Sequence, residues 1–216
     1  MADPQNITEL DLVVGSMITT RQDEDREVFE EERDTIALVQ DRLREEGLDV
    51  DLLAQPGTEV WEGGIETLGS LYQLLRMVRR LETSADILQV IEDGPVIYED
   101  TLDPVVTDVW DGLAETRFPH LVNLQGIHSY FLPLDFDRPL KLPFEDEEGE
   151  EDEAYFASSI RLQSELVEIA DMLHTANISE AAAAYRSEAA AAYRCLQVLR
   201  TAADQSTRFG LPIIVW

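Results

Sequence analysis

Two histidines eight residues apart, His120 and His128, are followed by Asp135 and Asp137, and these side chains are the best placed in the sequence to do chemistry. Two imidazoles with a carboxylate can hold a divalent cation and leave positions open for water or substrate, as metal-dependent hydrolysis requires. His128, Ser129 and Asp135 also supply the residue types of a hydrolytic triad. Neighbouring residues of a strand project to opposite faces, so His128 and Ser129 cannot serve one another. No G-x-S-x-G elbow is present, and the metal reading lacks a tight ligand motif such as H-E-x-x-H. Its bland counterpart leaves each histidine at a strand end, hydrogen-bonded or exposed. His120, His128, Asp135 and Asp137 are therefore candidate catalytic residues, with no metal and no cofactor assigned.

All four lie in residues 118–144, the longest charge-poor stretch, which also holds the only lysine, Lys141. The stretch reads as a β-hairpin: extended residues 120–124, a turn at Gln125-Gly126, then 127–136. Apolar residues at helical spacing predict helices over 23–46, 66–82, 103–116, 158–174 and 178–203. Gly47 stands where a C-terminal cap belongs, Asp103-Pro104 reads as a helix start, and Ser158 or Ser159 as a cap. Asn177–Glu180 has the form of a capping box. Residues 10–14, 48–52 and 211–216 predict strands, and 87–98 a further hairpin. Gln55-Pro56-Gly57 breaks the chain and Gly63-Gly64 marks a flexible turn. The sum is an α+β (mixed α/β) fold: about five helices packed on a small, largely antiparallel sheet centred on the 118–144 hairpin. One domain is expected over 1–216, with 145–153 as an acidic surface loop.

Length and composition agree with a folded core. The chain has 216 residues and is 44% hydrophobic, enough to bury a core. No apolar run reaches the roughly 18–20 residues that span a bilayer, and the first residues lack a secretory pattern, so a cytoplasmic protein without a membrane partner is expected. Cys195 stands alone, so no disulfide forms within the chain. Lone Gly15-Ser16 is no nucleotide fingerprint.

Charge is the strongest signal. Forty-five Asp and Glu face sixteen Lys and Arg, a formal −29. Such a surplus belongs either to an acidic partner-binding protein or nucleic-acid mimic, with charge on one face, or to adaptation to concentrated salt, with charge everywhere. Acidic runs recur along the whole sequence and arginine nearly replaces lysine, which favours salt adaptation. Direct binding to nucleic acid is not expected, because no basic stripe could neutralise phosphate. The Ala-rich helix 178–203 carries a seam of small residues that could pack internally or make an oligomer.

Residues 68–81 (LGSLYQLLRMVRRL), 119–140 (PHLVNLQGIHSYFLPLDFDRPL), 158–173 (SSIRLQSELVEIADML) and the ending GLPIIVW resemble a family of small uncharacterised prokaryotic cytosolic proteins. The resemblance covers the C-terminal two-thirds, and the acidity implies a haloarchaeal member. It implies no activity and no catalytic residues.

The resulting expectation is a non-enzymatic, halophilic, cytoplasmic protein acting through contacts with another protein. The alternative is a metal-dependent or hydrolytic enzyme using the His120, His128 and Asp135 region. At about 1 M salt the Debye length is only about 3 Å, so repulsion among surface carboxylates is screened. The protein is expected to loosen or unfold as KCl is withdrawn; a circular dichroism melt that does not change with salt would sink that expectation.

Overall fold

The computed structural model describes residues 10–83, 102–126, 128–145, 151–176 and 187–216. Along the chain run β1 (Leu10–Gly15), α1 (Arg26–Glu45), β2 (Glu59–Ile65), α2 (Leu68–Glu82), α3 (Pro104–Trp110) and α4 (Pro119–Val122). They are followed by β3 (Ser129–Leu132), β4 (Leu140–Glu145), β5 (Glu151–Ser158), α5 (Ser159–Thr175), α6 (Ser187–Phe209) and β6 (Ile213–Val215). The strands form one sheet in the order β2-β1-β6-β3-β5-β4. Only the β3–β5 pairing is parallel. The fold is therefore α+β, with helices on a largely antiparallel sheet. No described helix is long and apolar enough to cross a membrane.

The main core lies on one face of the sheet. Leu12, Val14, Phe131, Ile213 and Val215 meet the apolar rows of α2 (Leu71, Leu74, Leu75, Val78), α5 (Leu162, Leu166, Ile169, Leu173) and α6 (Leu196, Leu199, Ala203). The row on α5 is the one its spacing predicts, and Ser158 caps that helix by accepting from the Arg161 N–H at 3.0 Å. Ala192, Leu196 and Leu199 of the Ala-rich seam are buried in this core. That part of the seam packs internally, one of the two alternatives it offered; its residues 178–186 lie outside the described residues.

Arginine organises the α2 side. Arg76 and Arg79 are buried. Arg76 and Arg80 both pair with Asp103, at 3.3 and 2.9 Å, and Asp103 caps α3 by accepting from the Val105 N–H. Arg79 pairs with Glu82 and donates to the Val105 and Glu115 carbonyls. A planar guanidinium with several donors can satisfy a carboxylate and a carbonyl together, which an ammonium does less well.

Several local expectations are corrected. Residues 118–124 are not the first arm of a hairpin: Phe118 and Pro119 open the helical turn α4. Its first free amides, of His120 and Leu121, are accepted by the Glu165 carboxylate at 3.1 and 2.9 Å, so a partner 45 residues away selects helix over strand. β3 pairs with β5 and β6 instead. Residues 48–52 join no sheet. The Leu52 N–H donates to Gln40 Oε1 of α1 at 2.7 Å, and Leu52 packs with Leu43. The helix begun at Asp103 stops at Trp110, because Gly112 turns to φ +71. Acidic residues 145–153 are not all loop: Glu145 pairs with Glu151 and Phe144 with Asp152 as β4 and β5 meet. The expected hairpin over 87–98 and the capping box at 177–180 lie outside the described residues.

Gly63 and Gly64, expected as a turn, lie inside β2 opposite Leu12 and Asp11. Trp61 lies over Gly63, where an added Cβ would stand 2.4 Å from the indole ring. Gly63→Val is expected to destabilise the protein by about 2 kcal/mol through overpacking, and Trp61→Ala in the same chain to relieve part of that loss. Equal losses with and without the indole, in denaturant melts, would refute the steric cause.

Candidate functional site

The structure gathers three of the four candidate residues, His120, Asp135 and Asp137, near Arg161, and sets His128 apart. His120 sits on α4, fully buried. Its Nδ1 accepts the Ser158 N–H at 3.0 Å, while Nε2 has no hydrogen-bond partner. Its ring meets Phe136 edge-on at 5.7 Å. Burial, with the nearby Arg161 charge, lowers its pKa to about 4. Asp135 and Asp137 both pair with Arg161, at 2.5 and 2.7 Å. They tie the β3–β4 connection to the first turn of α5. His128 stands apart, in the left-handed region at φ 58 with its ring against Phe144 at 5.1 Å. Its carbonyl accepts the Tyr155 N–H at 2.9 Å. Ser129 Oγ donates to the Gly126 carbonyl. Among the described residues no three of His, Cys, Asp and Glu converge as metal ligands would. Cys195 is buried, and desolvation pushes its thiol well up, which makes it a poor nucleophile.

Glu165, outside the set of residues that the sequence singles out, is the buried carboxylate on which α4 depends. Burial, with Glu168 and Glu82 nearby, raises its pKa to about 8, against the two amide donors that lower it. The sequence did carry a signal: Glu165 falls between Leu162 and Leu166, beside the apolar row of α5.

The second face of the sheet is organised differently. α1 covers it, yet Leu43 is its one buried residue. The helix is tethered by few polar contacts. Glu32 accepts from Thr19 Oγ1 and the Thr20 N–H at 2.6 and 3.0 Å, and Arg42 donates to the Pro143 carbonyl of β4 at 2.7 Å. Between helix and sheet lies an open cavity of about 940 Å³. Ile36 and Val39 form its helix side, and Tyr130, Leu142, Phe144 and Phe156 its sheet side. Asp41 and Glu45 stand on the helix rim. Side chains alternate along a strand, so exposed Asp152 projects from the face that carries Ala154 and Phe156.

The described helices on the two sides of the sheet differ in charge. α2, α5 and α6, which cover the main core, together carry seven arginines and six carboxylates. α1 alone carries seven carboxylates and four arginines. On α1 the exposed Glu27, Glu31, Asp34, Asp41 and Glu45 recur at spacings of four, three, seven and four. At a rise of about 1.5 Å per residue this is one acidic row about 27 Å long. Leu38, 68% exposed, occupies its middle gap.

Two buried groups set the pH response with opposite signs. Glu165 titrates near 8 when folded, against an ordinary value near 4.5. The folded protein therefore binds that proton more tightly, and stability is lost as pH rises from about 4.5 through 8. His120 titrates near 4 when folded against 6.5, so its contribution is present above 6.5 and lost as pH falls toward 4. Glu165→Gln is expected to flatten the alkaline side of the melting-temperature profile and leave the acid side falling; an unaltered alkaline slope would contradict it.

The model of one protein family, described as "Putative DNA-mimic protein", matches residues 8–215. No curated protein and no solved structure matches the chain. This family overturns the functional expectation, a protein acting through unspecified protein contacts or an enzyme at His120, His128 and Asp135. It also corrects the expected partners. Nucleic acid enters as the thing imitated, and proteins that bind DNA are the partners such a family implies. With a match over nearly its whole length, the chain belongs to this DNA-mimic family.

Proposed function

We propose that the protein imitates the charged surface of DNA and occupies a DNA-binding protein in its place. The observation that carries this reading is the exposed acidic row on α1, set on the acid-rich face while α2, α5 and α6 are nearly neutral. A DNA duplex presents phosphates in regular rows at the margins of a groove, and its binders answer with Lys and Arg. Here carboxylates about 5–6 Å apart on either side of one gap of about 10 Å supply such a row along a rigid helix. Asp152, exposed on β5, supplies charge beyond the far side of the groove. Arg33 and Arg44 pair with Asp34 and Asp41 at 2.9 and 2.7 Å. Both pairs are exposed, and exposed pairs contribute little to stability, so an incoming guanidinium can replace them.

The formal −29 with a single lysine supports a setting of high ionic strength, such as a haloarchaeal cytoplasm, in which the acidic surface also keeps the protein hydrated and apart from its copies. A single folded unit over 1–216 fits this reading, since one sheet takes strands from both ends of the described chain.

The test is displacement. Labelled duplex bound by the cell's major DNA-binding protein should be released as the protein is added. Replacing Glu27, Glu31, Asp34, Asp41 and Glu45 by their amides should weaken release by at least about 10-fold. Replacing Glu168, Asp171 and Asp204, on the opposite helix layer, should change it little. Equal losses from the two sets would show that net charge, and not this row, is what the partner reads.

A further inference from the structure

The groove beneath α1 has a composition that imitation of phosphate alone does not require. Its floor is apolar, formed by Tyr130, Leu142, Phe144, Ala154 and Phe156. Its volume, about 940 Å³, is that of a site able to enclose several large side chains. Leu38 stands on its rim in the middle of the acidic row, 68% exposed. Asp41 and Glu45 border it on the helix side, and Asp152 projects from the sheet beside it. The Arg42–Pro143 hydrogen bond at 2.7 Å spans the two walls.

We propose that this groove receives the apolar face of a basic amphipathic helix from the DNA-binding partner, with that helix's Arg and Lys lying on the acidic rims. The inference rests on the mimicry reading and names the chemistry of the partner. Charge complementarity selects the occupant: an apolar floor between acidic margins fits a segment with apolar residues on one side and cations at its flanks. Salt gives the second reason. At about 1 M the Debye length is about 3 Å, so attraction between charges not in contact is screened. Burial of apolar surface does not depend on that attraction. A mimic working in concentrated salt therefore needs an apolar anchor to hold what its carboxylates recognise.

Two synthetic helical peptides of equal positive charge serve as probes. One carries leucines on one face and arginines on the other; in its counterpart glutamines replace the leucines. Binding to the full chain is read by fluorescence anisotropy in about 0.2 M and about 2 M KCl. The leucine peptide should bind at least about 10-fold more tightly than the glutamine peptide in the higher salt. Leu38→Glu should weaken it several-fold, although that change adds negative charge to an exposed position. Ala154→Trp, which fills the floor, should act in the same direction, with circular dichroism confirming that both variants fold. If the peptides bind alike and Leu38→Glu tightens both, recognition is by charge alone: the groove proposal falls and mimicry stands. If neither peptide binds while the protein still releases DNA from its binder, the proposal also falls alone. If DNA release fails as well, mimicry falls with it. A dimer of the free protein that Leu38→Glu disperses would assign the groove to a second copy and overturn the proposal.

Discussion

The two ladders of hydrogen bonds along β6 hold the sheet together. Three residues near the end of the chain, Ile213, Ile214 and Val215, pair with β1 on one side and β3 on the other. Without them β1 and β2 would be a separate two-stranded ribbon, and such a pair is marginal in water by itself. All three residues are buried, so the strand also fills the space between the two halves. Backbone satisfaction and apolar burial act together here, and both the helix layer and the open groove depend on the continuous surface that results.

That surface decides where charge can be neutralised. The main core is roofed by α2, α5 and α6, and the arginines of α2 are drawn inward to carboxylates: Arg76 and Arg80 to Asp103, Arg79 to Glu82. On the other face α1 lies alone, with Leu43 as its one buried residue. Its acidic row has only exposed neighbouring arginines for company. Polarity in the charge distribution follows from polarity in the packing, because a guanidinium with a fixed place in the fold stays near its carboxylate, whereas an exposed pair exchanges with solvent ions.

The same asymmetry explains the fate of the residues that first suggested chemistry. His120, Asp135 and Asp137 gather near Arg161, but as a structural joint. The imidazole accepts the Ser158 amide, the carboxylates hold the guanidinium, and Glu165 completes the joint by taking the amides of α4. His128 is carried to the groove side of the sheet, against Phe144. Residue types suited to catalysis are equally suited to satisfying buried backbone, and only their neighbours tell the two uses apart.

The amino-acid sequence by itself determined the helices α1, α2 and α5, the cap at Ser158, the strand at residues 10–14, and the acidity. Each of these is settled within a few residues: periodicity defines a face, and a side-chain oxygen meets an amide two or three positions on. Tertiary structure decided the rest. Residues 120–122 become helical because Glu165 reaches back to their amides. Gly63 and Gly64 enter a strand because β1 offers a partner and Trp61 needs the space. Residues 48–52 turn away from the sheet because Gln40 binds them. Which carboxylates come to share one exposed row is likewise invisible in a composition. It depends on which helices share a face, and that was fixed by a strand from the far end of the chain inserting at the middle of the sheet.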